Sequence, residues 1–171
     1  KGVQYFEAAV PDSKFKQYMG TTIVDARPEV IIELLRDVAA YKQWVYDCKE
    51  IVLIKALGGN DENICYYVYD SQFPVNDRDT VVKSVSSNRI DQGRIEVKIN
   101  SIDYPDYKLN DKLVHMQMHV TFLGEYINRD QTKLTMQFSF EPGGTISPSL
   151  VHGFVKVLPY HSLLNLKEMV K

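Results

Sequence analysis

The sequence predicts an α+β fold in which a curved antiparallel sheet wraps around a long C-terminal helix. Three observations carry that expectation. Segment after segment alternates apolar and polar residues with the period of a strand, the links between these segments are too short for helical crossovers, and the chain closes on an amphipathic run opened by Ser147-Pro148. The expected order is one strand, one helix, about six further strands and the long helix, folded as one domain over residues 1–171.

Residues 14–24, KFKQYMGTTIV, alternate as the first strand, and Asp25-Ala26-Arg27-Pro28 signals a helix start. In that helix Val30, Ile31, Leu34, Leu35 and Val38 share one face, and Glu29, Glu33, Arg36 and Asp37 share the other. Trp44, in the aromatic run that follows, reads as a core anchor. KEIVLIKAL (49–57) and NICYYVYD (63–70) form a hairpin about Gly58-Gly59-Asn60, with Cys48 pairing near position 71 and Cys65 near 54. That register separates the cysteines by about six residues, roughly 20 Å, whereas a disulfide needs Cα atoms within about 7 Å. Free thiols are expected.

RDTVVKSVS (78–86) and RIEVKIN (94–100) form a second hairpin, in which Ile95, Val97 and Ile99 alternate with Arg94, Glu96 and Lys98. Residues 101–112 form a loop whose Tyr104, Pro105 and Tyr107 are candidates for gating access to a cavity. LVHMQMHVTFLGEYI (113–127) and TKLTMQFSFE (132–141) form the last pair. Polarity turns Met116, Met118, Val120 and Phe122 inward and His115, Gln117 and His119 outward; the reverse parity would make His115 the leading polar contact for a ligand headgroup. Ser147 is the expected N-cap and Pro148 the first helical residue. Leu150, Val151, Phe154, Val155 and Leu158 form the apolar side, a kink follows at Pro159, and Leu163, Leu166 and Met169 or Val170 carry the face onward.

A net charge of -2, with 20 basic residues scattered along the chain, argues against a nucleic-acid partner, which needs a clustered positive face. Transient membrane contact stays compatible with this composition, although no run reaches the roughly 18 apolar residues of a spanning helix. The sequence opens at Lys1 without Met, compatible with removal of either a targeting segment or an upstream element, so the compartment stays open, with an exported, periplasmic or membrane-associated setting slightly favoured over the cytoplasm.

The chemistry-bearing residues are few. There is no Ser-His-Asp order, no G-x-S-x-G, no phosphate loop and no metal set, so neither cofactor nor metal is expected. His115 and His119 lie about 13 Å apart on a strand, too far to share a zinc ion with bonds of roughly 2.1 Å. Arg78, between Asp77 and Asp79, has two readings: a guanidinium anchoring a ligand's polar end, or one that pairs with a neighbouring carboxylate and pins the loop to the strand start. Tyr67 and Tyr69 share a strand face, where they hold either a ligand or simply the sheet. Met19, Met116, Met118 and Met136 suit a variable guest or an ordinary core.

TTIVDARPEVIIELLRDVAAYKQWV, then YYVYDSQFPVNDRDTVV, then EPGGTISPSLV before the last helix, resembles the START domain in its short bacterial form, a lipid-transfer branch of the helix-grip (Bet v 1-like) superfamily. The resemblance covers essentially the whole chain. It implies a helix-grip sheet around a tunnel for one sterol, phospholipid or similar lipid, with the C-terminal helix as lid, no cofactor, and most of the family's N-terminal helix absent. Phe73, Pro74, Arg78 and Asp79 stand in its aromatic-proline and Arg-Asp motif. The sequence departs from the family pattern at His115, Phe122, Glu141 and His152, where Arg, Trp, Asp and Asn are usual.

The expected ligand-binding residues are Tyr67, Tyr69, Arg78, Val82, Ile95, Val97, His115, Met116, Met118, Met136 and Phe138 from the sheet, with Phe154, Val155 and Leu158 from the helix. The expected function is non-catalytic binding, and possible transfer, of one lipid-like molecule. Two alternatives stand beside it. One is a polyketide cyclase or aromatase of the same superfamily, with His115 and Tyr67 or Tyr69 as the candidate acid-base pair. The other is a packing module whose cavity is filled by Phe122, Phe138 and Phe140.

Overall fold

The computed structural model describes residues 2–72 and 74–171; Phe73, of the aromatic-proline motif, lies outside the described residues. The elements are β1 (Gln4–Ala9), β2 (Lys16–Val24), α1 (Pro28–Arg36), α2 (Tyr41–Trp44), β3 (Cys48–Leu57), β4 (Glu62–Tyr69), β5 (Arg78–Arg89), β6 (Arg94–Ser101), β7 (Val114–His115), β8 (Gln117–Asn128), β9 (Gln131–Glu141), α3 (Pro148–Val155) and α4 (Leu158–Met169). Among the described residues nine strands form one curved sheet in the order β1-β2-β9-β8-β6-β5-β4-β3, and the two-residue β7 pairs in parallel with β5.

Strict alternation builds the centre of the sheet. In β8 and β9 the odd-even pattern sends Met118, Val120, Phe122, Leu134, Met136, Phe138 and Phe140 to the concave face and leaves their neighbours in or near water. In β4 seven consecutive residues are buried because both faces are covered. Cys65, Tyr67 and Tyr69 join the main core, while Ile64, Tyr66 and Val68 pack on the convex side under residues of the 102–113 loop. That loop is therefore no gate to the concave face. Tyr107 lies against Tyr66 with ring centroids 5.0 Å apart, and Tyr104, Leu109 and Leu113 complete a second apolar cluster behind the sheet.

The helix after Pro28 forms as expected, but its inward face is Pro28, Ile31, Ile32 and Leu35. Val30 is exposed, being turned about 100° from Ile31. Ser147 caps α3 by accepting from the Leu150 amide, with Pro148 in its first turn. The long helix is interrupted at Lys156–Val157, and Pro159 stands in the first turn of α4, where its missing N–H costs no helical bond. Leu163 and Leu166 are wholly buried, whereas Leu150 and Met169 are exposed. Gly20 lets α4 lie close on β2: a Cβ there would come within 2.9 Å of Leu163 Cδ1 and 3.3 Å of Pro159 Cβ.

The β3–β4 register differs from the expected one. Bulges between Cys48 and Glu50 and between Leu53 and Lys55 pair Cys48 with Tyr69 and Cys65 with Leu53. The cysteines remain free, as the spacing required. Burial pushes the Cys48 thiol up to about 12 and the Cys65 thiol up to about 11. Both are expected to resist iodoacetamide at pH 7.5 in the native protein and to react once urea unfolds it. Mass spectrometry of the labelled chain checks this; fast native labelling at either site would contradict it.

Candidate functional site

Between the concave face and the helices lies a cavity. Its walls are Ile51 from β3, Tyr67 and Tyr69 from β4, Val82 from β5, Ile99 from β6, Met116 between β7 and β8, Met118, Val120 and Phe122 from β8, and Met136, Phe138 and Phe140 from β9. Tyr41, Trp44 and Val45 line it from the α2 region, and Val155 of α3 and Leu158 of α4 line it from the C-terminal helices. The cavity measures about 40 Å³. The hollow thus has room for a few waters and falls well short of the roughly 300 Å³ of a lipid-sized pocket, as the filled-cavity alternative expects. Phe138 stacks on Phe140 at 5.8 Å, and Phe122 meets Trp44 edge-on at 5.6 Å, so the phenylalanines occupy much of the space without sealing it.

Among the described residues no charged side chain stands on this wall. The Tyr41 hydroxyl donates to the Leu35 carbonyl at 2.6 Å, and the Tyr69 hydroxyl donates to Asp47 Oδ2 at 3.4 Å. Burial raises the hydroxyl pKa of Tyr41, Tyr67 and Tyr69, which keeps all three neutral, and it also raises the Asp47 carboxyl. Among the described residues, two polar groups on the wall lack partners. Trp44 is wholly buried and its Nε1 has no acceptor, and among the described residues the Tyr67 hydroxyl has no hydrogen bond.

Helix α3 covers one end, turning Val151 and Val155 inward. His152 ties it to the first two strands. Its Nδ1 lies 3.1 Å from the Tyr18 hydroxyl, its ring stacks on Tyr18 at 5.8 Å, and its Nε2 lies 3.7 Å from Glu7 Oε2. Beneath α3 a crevice of about 10 Å³ holds Arg78, Ser71 and Phe154, separated from the main cavity by the shared walls Tyr69, Phe140 and Val155.

The Asp77-Arg78-Asp79 triplet holds three junctions. Asp77 accepts from the Ser71 amide at 2.9 Å and from Lys49 Nζ at 2.5 Å. Arg78 is buried, and its Nε donates to the Pro142 carbonyl at 3.1 Å while Nη1 donates to the Asn76 carbonyl. The expected carboxylate partner is thus replaced by two carbonyls, and burial lowers the guanidinium pKa. Asp79, wholly buried, accepts from the Tyr66 hydroxyl and the Asn110 amide at 2.9 Å each and from His115 Nδ1 at 2.7 Å.

Of the sequence-predicted site residues, Tyr67, Tyr69, Val82, Met116, Met118, Met136, Phe138, Val155 and Leu158 come together on the cavity wall. Arg78 and Phe154 stand in the adjoining crevice. Ile95 and Val97 are fully buried but lie off the wall, on the strand that packs against α1. His115 does not reach the cavity: the alternation that sends Met116 inward turns it to the convex side, half-exposed against Asp79. Sequence reasoning missed Tyr41, Val45 and Ile51 and favoured a core role over a ligand contact for Trp44, which is wholly buried and also lines the cavity; Ile99, Val120, Phe122 and Phe140 were within reach of the same parity argument.

Comparison with known proteins places these features. The START domain family model matches residues 6–159. A protein of Pseudomonas aeruginosa is 28% identical over 98% of this chain and 81% of its own length. The STAR-related lipid transfer protein from Xanthomonas axonopodis superposes with a TM-score of 0.86 at 24% identity, covering 99% of this chain and 94% of that one. Human StAR-related lipid transfer protein 5 gives 0.84 at 16%, covering 99% and 82%. The Zhui aromatase/cyclase from a Streptomyces species shares the fold more loosely, at 0.60 and 13%, covering 98% and 93%. With the family model spanning all but the chain's extremities and the sheet, cavity and covering helices in their expected order, the chain belongs to the START domain family.

Proposed function

We propose that this protein is a non-catalytic carrier that encloses one lipid-like hydrophobic molecule between the concave sheet and its C-terminal helices. The observation that carries this reading is an uncharged wall of aliphatic, thioether and aromatic side chains under a helix, α3, that is broken from α4 and inserts only two buried side chains. Burying about 300 Å² of ligand apolar surface gains roughly 7 kcal/mol before ordering costs, so useful affinity needs no covalent step. Carriage requires this cavity to widen, and Met116, Met118 and Met136 are the side chains most able to give way, being unbranched. The lipid-transfer names of structural relatives support the same direction.

A cyclase would need a titratable pair converging on the cavity. The candidate histidine faces the other side of the sheet, so no arrangement on the wall favours that chemistry over carriage. Native mass spectrometry of the protein purified from its own host tests the carrier reading, together with uptake of a fluorescent sterol or phospholipid. A bound lipid or saturable uptake is expected, and Val155→Trp, which fills the covered end, is expected to cut uptake at least tenfold with circular dichroism unchanged. A wild-type protein that takes up no apolar ligand would remove the reading.

A further inference from the structure

The polar inventory of the cavity points to a class of ligand. A buried donor with no acceptor is a net loss to the folded protein, and Trp44 Nε1 is one; the Tyr67 hydroxyl, which has no hydrogen bond among the described residues, is a second polar group that a phenylalanine would lack at nearly the same volume. Both residues stand on the same uncharged wall, and both present neutral groups: the indole N–H only donates, and burial holds the Tyr67 hydroxyl protonated. An acidic or phosphorylated head brought onto this wall would meet no countercharge. The buried cation beside the lid, Arg78, is engaged by two backbone carbonyls in a separate crevice with space for about one water.

We infer that the cavity selects a hydrocarbon carrying an uncharged oxygen acceptor, an alcohol or a ketone, and that Trp44 Nε1 and the Tyr67 hydroxyl are the specificity-determining donors that receive it. This assignment rests on the carrier reading and adds to it the polarity of the guest. Bare hydrocarbon leaves the two donors unpaired, and an anion leaves its own charge uncompensated. An uncharged oxygen leaves neither.

The test is displacement of bound Nile red from the full chain by decan-1-ol, decane and decanoate at pH 7.5, in wild type, Trp44→Phe and Tyr67→Phe. Decan-1-ol is expected to bind wild type more tightly than either relative. Each substitution is expected to weaken decan-1-ol about fivefold, the worth of one hydrogen bond, while decane binding stays level or tightens and the melting temperature confirms the fold. Equal binding of decane and decan-1-ol, tighter binding of decanoate, or no change in either variant overturns the inference. An unchanged Trp44→Phe alone removes Trp44 from it, with the Phe122 ring as the indole's neighbour instead. Failure of wild type to bind Nile red or any of the three molecules strikes the carrier reading itself.

Discussion

Gly143→Ala is expected to destabilise the protein by about 3–5 kcal/mol and to lower its melting temperature on the order of 10 °C. Gly143 has φ of 64°, in the left-handed region that a side chain strains. A Cβ at this position would lie 2.0 Å from the His115 carbonyl oxygen, a backbone atom that no rotamer change can move aside. The displacement would not stay local. Gly143 follows Pro142, whose carbonyl receives Arg78 Nε, and leads into the segment that seats the N-cap of α3. Gly58→Ala is the control, because its φ of 57° carries the same backbone strain with nothing within 4 Å of the new Cβ. It is expected to cost only about 1 kcal/mol. Thermal unfolding of both variants decides the matter, and a Gly143→Ala protein melting with the control would show that this close approach carries no weight.

Asp79→Ala is the second large loss. Its carboxylate sits wholly buried among three donors from three segments: Tyr66 on β4, Asn110 in the convex-side loop and His115 on β7. Removing it strands the buried Tyr66 hydroxyl and unties the Asn110 amide and the half-exposed His115 ring, which can turn to water, so the loss is expected at about 2–4 kcal/mol. Asp79→Asn should recover only part of this, since an amide has one acceptor oxygen and presents its NH2 to groups that themselves donate. Chemical denaturation gives the magnitude. Hydrogen exchange gives the location: the Asn110 amide and its neighbours between 102 and 113 should lose protection well before the amides of β8 and β9. Uniform protection in the variant would mean that apolar packing of Tyr104, Tyr107, Leu109 and Leu113 holds the loop unaided.

Those two residues also show where the sequence was readable. Strands such as β6, β8 and β9 bury one face, so period-two alternation named their inward residues directly. The same alternation put Met116 in and His115 out. Strand β1 was missed because all six residues are exposed at a sheet edge, leaving no buried face to write a pattern. The 102–113 loop was misplaced because its tyrosines and leucines look alike whichever side of the sheet they cover. Alternation says that a residue faces inward, not whether it meets another side chain or a void. Val97 and Met118 were therefore indistinguishable until α1 was seen to lie over one part of the sheet and the cavity beside another. The size of the cavity depends on how far the helices settle onto the sheet, a distance set by three-dimensional packing.

The contact of His152 with Tyr18 and Glu7 joins opposite extremities of the polypeptide. Strand β1 is held mainly by β2, and α3 is anchored to the same two strands through one imidazole. Fraying at the amino end and lifting of the cover are therefore expected to be coupled through that imidazole, so that loosening either margin lowers the work needed to open the other.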